Sequence, residues 1–395
     1  MESEKYKILI VYDVSYPSID GGGQRRLYEV ATRLIDNDIA DVDWICFKTW
    51  DIEGTNKLHP KINYIGLPGF KGLYNKSGSR RILEPLEFLY SLFRHKPKLH
   101  KYDIIWSGQW PILHLIFWSF NKKVRNKLVV DWWEYWGKTW FSYSKFVGFI
   151  GYFFEKILLL RLTKFSKLVS ISKISNDQIK EYIKFPRNLY LVNNGIDARE
   201  LNIIGNAASK VYSFGYLGRL KDHKRVDILI RAIHWIEVTH NVRLSLVIIG
   251  DGPERESLEE LAKELKIKNR IDFRGSIKSN DEVYKILAKS EIFVNPSTKE
   301  GGGSITLFEA FALGLPSVAF KCDDGIDPSL IGDMERGVLV REVSYKALGE
   351  SLFKLSRDKN TKISMSNKAI EFSRDYDWDI ISKRYNELFM LINKN

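Results

Sequence analysis

The sequence predicts an α/β protein that contains two parallel sheets. Short apolar runs that are typical of buried strands recur along the 395 residues, and helical patterns separate consecutive runs. Strands that alternate with helices favour parallel sheets with helices on both faces. Thirteen such runs are present. Because that number is too large for one ordinary sheet, we expect two sheets.

The predicted strands divide at a turn-rich break, NNGID at 193–197. The strands before the break are Lys7–Tyr12, Val42–Phe47, Ile62–Ile65, Ile104–Trp106, Leu128–Asp131, Leu168–Ile171 and Tyr190–Val192. The strands after it are Val211–Leu217, Leu244–Ile249, Ile271–Arg274, Ile292–Asn295, Pro316–Ala319 and Gly337–Leu339. A helix is expected at about 24–35, and the polar segment Asn202–Lys210 is interpreted as a linker. We therefore expect one domain at 1–198 and a second at 199–378.

The basic charge of the chain is concentrated in one stretch. The formal net charge is +12, and residues 51–190 contain 24 Lys and Arg against 10 Asp and Glu, whereas the rest contains 37 against 39. Such a stretch attracts nucleic acid, anionic lipid or a phosphorylated substrate, or it serves solubility alone. No nucleic-acid-binding motif is present, so no nucleic-acid partner is expected.

The chain is expected to be cytoplasmic. Its two cysteines, Cys46 and Cys322, lie in or beside apolar runs, which favours buried free thiols and a reducing compartment. The N-terminal MESEKYKILIVYDV places charges first and has only a strand-length apolar run, so no signal peptide is expected. No stretch of 18 apolar residues exists, so we expect no transmembrane helix.

Three glycines after the first strand open the first helix. Gly21, Gly22 and Gly23 belong to the segment DGGGQRR at 20–26. Glycines allow the backbone to approach a ligand, and a helix N-terminus attracts an anion. The spacing differs from the G-x-G-x-x-G fingerprint, so a dinucleotide is not indicated. A flexible turn without a ligand is the alternative.

Two further glycine-containing loops follow strands of the second half. GRLKDHK at 218–224 places Gly218 and Arg219 at a strand end, with Lys224 five residues on. Ligands bind beyond the carboxyl ends of strands in open α/β sheets, and two cations there suit a diphosphate. A solvated basic loop is the alternative. GDGP at 250–253 adds a second tight turn with Gly250 and Asp251.

A fourth segment combines a glycine run with two glutamates. PSTKEGGGS at 296–304 contains Glu300, and Glu309 follows in the apolar helix TLFEAFALG. Carboxylates accept hydrogen bonds from hydroxyls, as sugars require. A carboxylate inside an apolar helix needs a partner, whereas a solvated glutamate on a capped helix is the alternative.

Taken together, these segments resemble the GT-B glycosyltransferases of family four, the large retaining group. That family has a glycine loop near the N-terminus, and six further segments of this chain match the family in order. The matching segments here are NNGID at 193–197, GRLKDHK at 218–224, GDGP at 250–253, FRG at 273–275, PSTKEGGG at 296–303 and FEAFALGLP at 308–316. The resemblance covers nearly the whole chain and implies two Rossmann-like domains that face each other across a cleft. It also implies that a C-terminal helix at 379–395 packs back onto the first domain.

The resemblance implies a role for each donor-side residue. Arg219 and Lys224 would hold the donor diphosphate and stabilise the leaving group, with Gly21–Gly23 closing on the diphosphate from the opposite domain. Glu300 and the loop amides would contact the donor sugar, and Glu309 would bind the nucleotide ribose. The loop and turn residues expected at the donor are Gly218, Gly250, Asp251, Gly301, Gly302, Gly303 and Ser304. No cofactor or metal is implied, and a UDP-sugar is favoured over a GDP-sugar.

One departure from the family concerns the spacing of the two glutamates. The family has seven residues between them, and this chain has eight between Glu300 and Glu309. We interpret the extra residue as a bulge in the glycine run, so the sugar contact of Glu300 is less certain than the ribose contact of Glu309.

The acceptor is expected to meet the first domain. Asp131, Trp132, Trp133 and Glu134 follow a strand, and Gln109 follows another. Aromatic rings flanked by carboxylates suit carbohydrate. We therefore expect Asp131 to contact the acceptor or donor sugar in the catalytic site, and the other four to bind the acceptor. A tryptophan-rich packing corner is the alternative.

An apolar stretch in the first domain suggests a membrane contact. Phe146–Leu162 is rich in aromatic residues and flanked by lysines, so it is either a membrane-facing helix or a buried core helix. The predicted protein is a retaining, metal-independent hexosyltransferase (EC 2.4) that acts on a glycan or lipid-linked acceptor. Its expected role is in cell-surface polysaccharide synthesis, and its expected location is peripheral, on the inner face of a membrane. A GT-B nucleotide-sugar epimerase or a non-catalytic sugar- or polyanion-binding protein is the alternative.

Overall fold

The structure is a computed structural model that describes residues 5–19, 21–50, 58–73, 81, 83–142, 145–184, 186–300 and 304–393. The chain forms two compact units. One comprises Met1–Asn194 together with Trp378–Asn395, and the other comprises Gly195–Asp377. The units therefore meet in sequence a few residues before the expected boundary at 198.

The first unit is built on a seven-stranded sheet in which every strand pair is parallel. The spatial order is β3-β2-β1-β4-β5-β6-β7. The strands are β1 Tyr6–Val11, β2 Ala40–Phe47, β3 Ile62–Leu67, β4 Ile104–Gly108, β5 Leu128–Trp132, β6 Lys167–Ser170 and β7 Leu189–Leu191. The helices are α1 Gly22–Asp36, α2 Glu84–His95, α3 Leu113–Phe120, α4 Lys122–Arg125, α5 Lys145–Phe165, α6 Lys173–Tyr182 and a C-terminal helix, Trp378–Asn393.

The second unit is built on a six-stranded parallel sheet in the order β10-β9-β8-β11-β12-β13. The strands are β8 Tyr212–Leu217, β9 Leu246–Ile249, β10 Ile271–Gly275, β11 Ser290–Asn295, β12 Ser317–Phe320 and β13 Gly337–Val340. The helices are α7 Ala198–Ala207, α8 Val226–His240, α9 Arg255–Glu264, α10 Asn280–Leu287, α11 Ile305–Ala312, α12 Pro328–Ile331, α13 Tyr345–Arg357 and α14 Lys359–Ser373.

The two-sheet α/β fold is confirmed, and each of the thirteen predicted strands overlaps an observed one. The apolar runs are continuous because both faces of each sheet are buried. In β1, Ile8 and Ile10 belong to one apolar cluster, whereas Leu9 and Val11 belong to the cluster on the opposite face. Alternating side chains of one strand therefore supply two cores.

The interpretation of Asn202–Lys210 as a linker is wrong, because most of the segment lies in α7. Leu201 is buried in a core cluster and Ile204 packs against it. A Cβ at Gly205 would lie 2.4 Å from the carbonyl oxygen of Leu313. The glycine that suggests a linker thus permits α7 to approach the end of α11.

No helix among the described residues combines the length and the apolar character needed to cross a membrane. The helix α5 has 21 residues, but three lysines, one arginine and one glutamate interrupt its apolar sequence.

Candidate functional site

Two loops at the carboxyl end of the second sheet pack backbone against backbone. The amide of Gly218 donates to the carbonyl of Ile249 at 3.0 Å, and the amide of Leu220 donates to the carbonyl of Asp251 at 3.0 Å. Gly250 has a φ of +136°, and a Cβ there would lie 2.0 Å from the carbonyl oxygen of Gly218. A side chain at position 250 would therefore separate the loops that follow β8 and β9.

These loops border a cavity of about 320 Å³ in the second unit, a size within the range of small-ligand sites. It lies where β8, β9 and β10 end and where α11 begins. Five residues expected at the donor line it, namely Gly218, Arg219, Gly250, Asp251 and Glu309. Other lining residues are Ser276, Ile277, Asn280, Tyr284 and Thr306. The parallel sheet thus brings together residues from three separate motifs.

Glu309 places a buried carboxylate at the wall of this cavity. It is 6% exposed and lies in the apolar helix α11. Tyr284, on α10, donates its hydroxyl hydrogen to Oε1 of Glu309 at 2.6 Å. The buried carboxylate therefore has the partner that its environment requires, and the bond fixes the direction in which its oxygens point.

Arg219 is an exposed cation at the same cavity. Its backbone carbonyl accepts a hydrogen bond from the Tyr216 hydroxyl at 3.0 Å. Burial raises the pKa of Tyr216 above its usual value, so the phenol stays protonated and able to donate. Tyr216 therefore anchors the backbone from which the guanidinium extends.

Lys224 and Glu300 form an ion pair outside the lining of this cavity. The Lys224 ammonium lies 2.6 Å from Oε1 of Glu300, and the two side chains are 20% and 9% exposed. The Thr298 amide donates to the carbonyl of His223 at 2.9 Å and joins the two loops. Burial of the imidazole lowers the pKa of His223, and the nearby positive charge of Lys224 lowers it further. The pair carries opposite charges side by side, as recognition of a phosphate and a hydroxyl-rich group requires.

The glycine run between these sites falls partly outside the description. Gly301, Gly302 and Gly303 lie outside the described residues, and the predicted bulge lies among them. Ser304 is the N-cap residue of α11, and its hydroxyl lies 2.8 Å from that of Thr306. Thr306 reaches the cavity, so the start of α11, where backbone amides point outward, adjoins it.

The glycine loop of the first unit caps α1. Gly21 is the N-cap residue, and Gly22 and Gly23 are the first helical residues. A Cβ at Gly23 would lie 2.6 Å from the Tyr12 hydroxyl and 3.1 Å from the Trp133 ring. Gly23 thus lies against two aromatic side chains, and that packing is itself a reason for glycine at this position.

Asp131, which we expect from the sequence to contact a sugar in the catalytic site, is buried within the first unit. It has no exposed surface, because its partners enclose it. Oδ1 accepts the Tyr385 hydroxyl at 2.5 Å, and Oδ2 accepts Nε of Arg26 at 3.2 Å. Burial raises the pKa of Asp131, and the charge of Arg26 opposes the rise. In this structure the carboxylate is thus engaged by the side chains of Arg26 and Tyr385.

Arg26 extends that network to the point where the chain leaves the first unit. It is 1% exposed, and its NH2 donates to the Val192 carbonyl at 2.6 Å and to the Tyr385 hydroxyl at 2.7 Å. Its NH1 donates to the Asn193 carbonyl at 2.5 Å and to Asn194 Oδ1 at 3.1 Å. We call Arg26, Asp131 and Tyr385 the arginine clamp. It joins α1, β5 and the C-terminal helix.

Three of the four residues expected at the acceptor are buried or half-buried. Trp132 is fully buried in a core cluster, since its side chain points to a covered face of the sheet. Gln109 is 1% exposed, and its amide bonds to the backbone of Trp133 and Glu134 at 2.9–3.2 Å. Trp133 is half-buried beside Gly23 and Gly108. Of the four, Glu134 alone has an exposed side chain.

The sequence analysis does not identify four of the residues that line the cavity, namely Ser276, Ile277, Asn280 and Tyr284. One signal precedes them: the FRG segment ends at Gly275, whose φ of +68° turns the chain after β10. Tyr284 lies in an ordinary amphipathic helix, and only the three-dimensional structure shows that its hydroxyl meets Glu309.

Known proteins are similar to this chain in the sequence of its second unit and in its fold. Residues 198–372 match the family model described as Glycosyl transferases group 1. An uncharacterised glycosyltransferase of Methanocaldococcus jannaschii is 25% identical over 254 residues, or 62% of this chain and 64% of that protein. The alignment thus spans less than two thirds of that relative's own length.

Solved structures resemble nearly the whole chain. Sucrose-phosphate synthase from Thermosynechococcus elongatus superposes with a TM-score of 0.77 at 17% identity, covering 99% of this chain and 100% of that one. HepE of Anabaena, in complex with UDP-glucose, superposes with a TM-score of 0.65 at 15% identity, covering 98% and 99%. The protein therefore has the GT-B fold. The match to the glycosyl transferases group 1 model lies within its second unit, and the resemblance inferred from the motifs is confirmed.

Proposed function

We propose that the protein is a glycosyltransferase that transfers a hexose from a nucleotide-diphosphate sugar to a glycan or lipid-linked acceptor with retention of configuration. One observation carries the proposal. The carboxyl end of the second sheet joins Arg219 and the Glu309–Tyr284 pair at one cavity. A cation and an oriented carboxylate suit the phosphate and ribose hydroxyls of a nucleotide.

The donor assignments follow from this placement. Glu309 accepts hydrogen bonds from the ribose, and Arg219 pairs with the diphosphate. Lys224 keeps ammonium hydrogens beyond the one that meets Glu300, so it can approach the phosphate while Glu300 approaches the sugar. UDP is the favoured nucleotide, and the UDP-glucose bound by the structural neighbour HepE supports that choice.

The chemistry uses charge rather than a resident cofactor or metal ion. The bond between sugar C1 and the diphosphate oxygen breaks, and its electron pair leaves with the diphosphate. The acceptor hydroxyl oxygen bonds to C1 on the face that the diphosphate leaves, and its proton passes to the departing diphosphate oxygen. Arg219 and Lys224 stabilise the negative charge that develops on the leaving diphosphate. A role in cell-surface polysaccharide synthesis, in the cytoplasm or on the inner face of its membrane, completes the proposal.

A thermal-shift panel tests the donor site. UDP- and GDP-sugars are added with magnesium or with a chelator, to the wild type, to Glu309→Ala and to a control, Glu260→Ala, whose side chain is 59% exposed. A ligand raises the melting temperature in proportion to its occupancy. We expect one nucleotide series to stabilise the wild type and the control equally with or without metal, and Glu309→Ala to lose the shift.

Other outcomes point to the other functions. No shift with any nucleotide sugar would overturn the proposal. Conversion of a nucleotide sugar without an added acceptor would indicate an epimerase. Binding without turnover on any glycan or lipid-linked acceptor would indicate a binding protein.

A further inference from the structure

Three helices of the first unit expose large aromatic and aliphatic side chains. Phe117 of α3 is 54% exposed, and Phe149 and Phe153 of α5 are 65% and 53% exposed. Other exposed apolar residues on the same helices are Leu86, Tyr90, Phe93, Phe120, Phe154 and Leu160. A folded protein that stays in water rarely exposes such a group together, and an apolar patch of this kind marks an interaction site.

The three helices are neighbours, so the exposed side chains form one surface. Phe93 of α2 meets Phe117 of α3 with ring centroids 5.3 Å apart. Arg161 of α5 lies with its guanidinium 3.6 Å from the centroid of the Phe120 ring and donates to the Ser119 carbonyl at 2.7 Å. We call the exposed sides of α2, α3 and α5 the aromatic face.

The inner side of α5 packs against the core of the unit, whereas its outer side is exposed. Leu158, Leu159 and Leu162 are buried in the core of the unit, so the helix is already fixed to the sheet. Glu155, the only acidic residue of α5, is 1% exposed. Its carboxylate accepts the amides of Trp136 and Gly137 at 3.0 and 2.7 Å and is thus turned inward. The exposed side of α5 therefore presents no negative charge.

Exposed basic residues lie on, or close in sequence to, the helices of the aromatic face. In residues 83–165 the exposed basic residues are Arg94, Lys96, Lys98, Lys101, Lys122, Lys123, Lys138, Lys145, Lys156 and Lys164. Of the six acidic residues in that stretch, only Glu134 is exposed. An aromatic surface bordered by lysines matches the interface of an anionic membrane, where rings enter the headgroup region and ammonium groups meet lipid phosphates. Protein–protein interfaces, in contrast, are depleted in lysine.

We propose that the aromatic face docks the protein on an anionic phospholipid membrane, with α5 lying against the headgroups. The inference goes beyond sugar transfer and stands without it, because it concerns residues of the first unit, whereas residues of the second unit line the nucleotide cavity. If sugar transfer holds, the docked protein would meet a lipid-linked acceptor at the membrane where that acceptor resides.

Vesicle flotation tests the proposal with the full chain. The vesicles consist of phosphatidylcholine with or without phosphatidylglycerol, at low and high salt. We expect the wild type to float with the anionic vesicles, and high salt to weaken the binding. The double change Phe149→Ser with Phe153→Ser, and separately Lys122→Glu with Lys145→Glu, should each lower the partition coefficient at least about tenfold.

A matched control changes exposed apolar residues of the other unit, Val238→Ser with Ile363→Ser, and should float like the wild type. The circular dichroism melt of each variant confirms folding, and the charge-reversal pair tests the face without altering an aromatic side chain. The proposal would be overturned if the wild type bound neutral and anionic vesicles equally, or if it bound neither. So would a dimer in gel filtration that Phe149→Ser with Phe153→Ser converts to monomer, because the face would then bind a second copy of the chain.

The outcome of the vesicle experiment can be distinguished from that of the nucleotide experiment. Vesicle binding without any nucleotide shift would leave membrane docking standing and remove the transferase proposal, whereas a nucleotide shift without vesicle binding would do the reverse.

Discussion

The two units share an architecture but differ in what they do with the polar residues at the ends of their strands. In the second unit, Glu309 is buried at a cavity wall and Arg219 is exposed beside it. In the first unit, Asp131 is also buried, but Arg26 and Tyr385 surround it. One buried carboxylate thus borders a cavity, whereas the other is enclosed by two side chains of its own unit.

The largest expected effect tests the structural side of this comparison. Asp131→Ala leaves the Arg26 guanidinium buried without its counter-ion, and breaking such a pair costs about 3–5 kcal/mol of unfolding free energy. Chemical denaturation measures the loss. The control Glu134→Ala, at an exposed position, should change stability by less than about 0.5 kcal/mol.

Nucleotide affinity of the folded Asp131→Ala protein should match that of the wild type. A variant that stays stable but loses turnover would return Asp131 to the catalytic site and remove the contrast between the units.

A pH experiment tests a second buried group of the first unit. His114 is 1% exposed, and its Nε2 lies 2.9 Å from the Ser107 hydroxyl. Burial lowers its pKa from 6.5 to about 3, so the folded state keeps the ring neutral while the unfolded state takes up a proton below pH 6.5. Stability is therefore lost as pH falls, by about 1.4 kcal/mol per unit between those two pKa values.

The slope of unfolding free energy against pH between 6.5 and about 5 reports this effect. His114→Gln keeps a polar group near Ser107 but does not titrate, so its slope should be smaller than that of the wild type. Equal slopes would show that His114 is not held neutral by the fold.

The smallest expected effect sharpens the ligand side of the comparison. Tyr284→Phe removes the hydroxyl that orients Glu309, and a hydrogen bond to a charged group contributes about 1.5–3 kcal/mol at most. Because Glu309 keeps its charge, we expect UDP to bind about three- to tenfold more weakly by calorimetry.

A 2′-deoxy nucleotide separates orientation from packing. If Tyr284 acts through Glu309 on the ribose, the deoxy compound should bind the wild type and Tyr284→Phe about equally. An undiminished difference between the two proteins would assign Tyr284 a packing role instead.

The sheets were predictable because strands covered on both faces are written as short, continuous apolar runs, as in β1 and β9. Glu309 was predictable as a buried carboxylate because its helix is otherwise apolar. The burial of Asp131 between Arg26 and Tyr385 was not predictable, since these partners lie 105 and 254 residues away in sequence. Trp132 and Gln109 follow strands as binding residues do, but whether such a side chain points into the core depends on packing that no local pattern contains.

The arginine clamp also bears on how the protein is made. The first unit draws Tyr385 into its buried network and Trp378, Ile381 and Phe389 into its core, although these residues follow the whole second unit in sequence. During translation the second unit emerges as one uninterrupted segment, whereas the first waits for the final helix. Until those residues leave the ribosome, Arg26 and Asp131 lack the Tyr385 hydroxyl, and the core of the first unit is the later of the two to be completed.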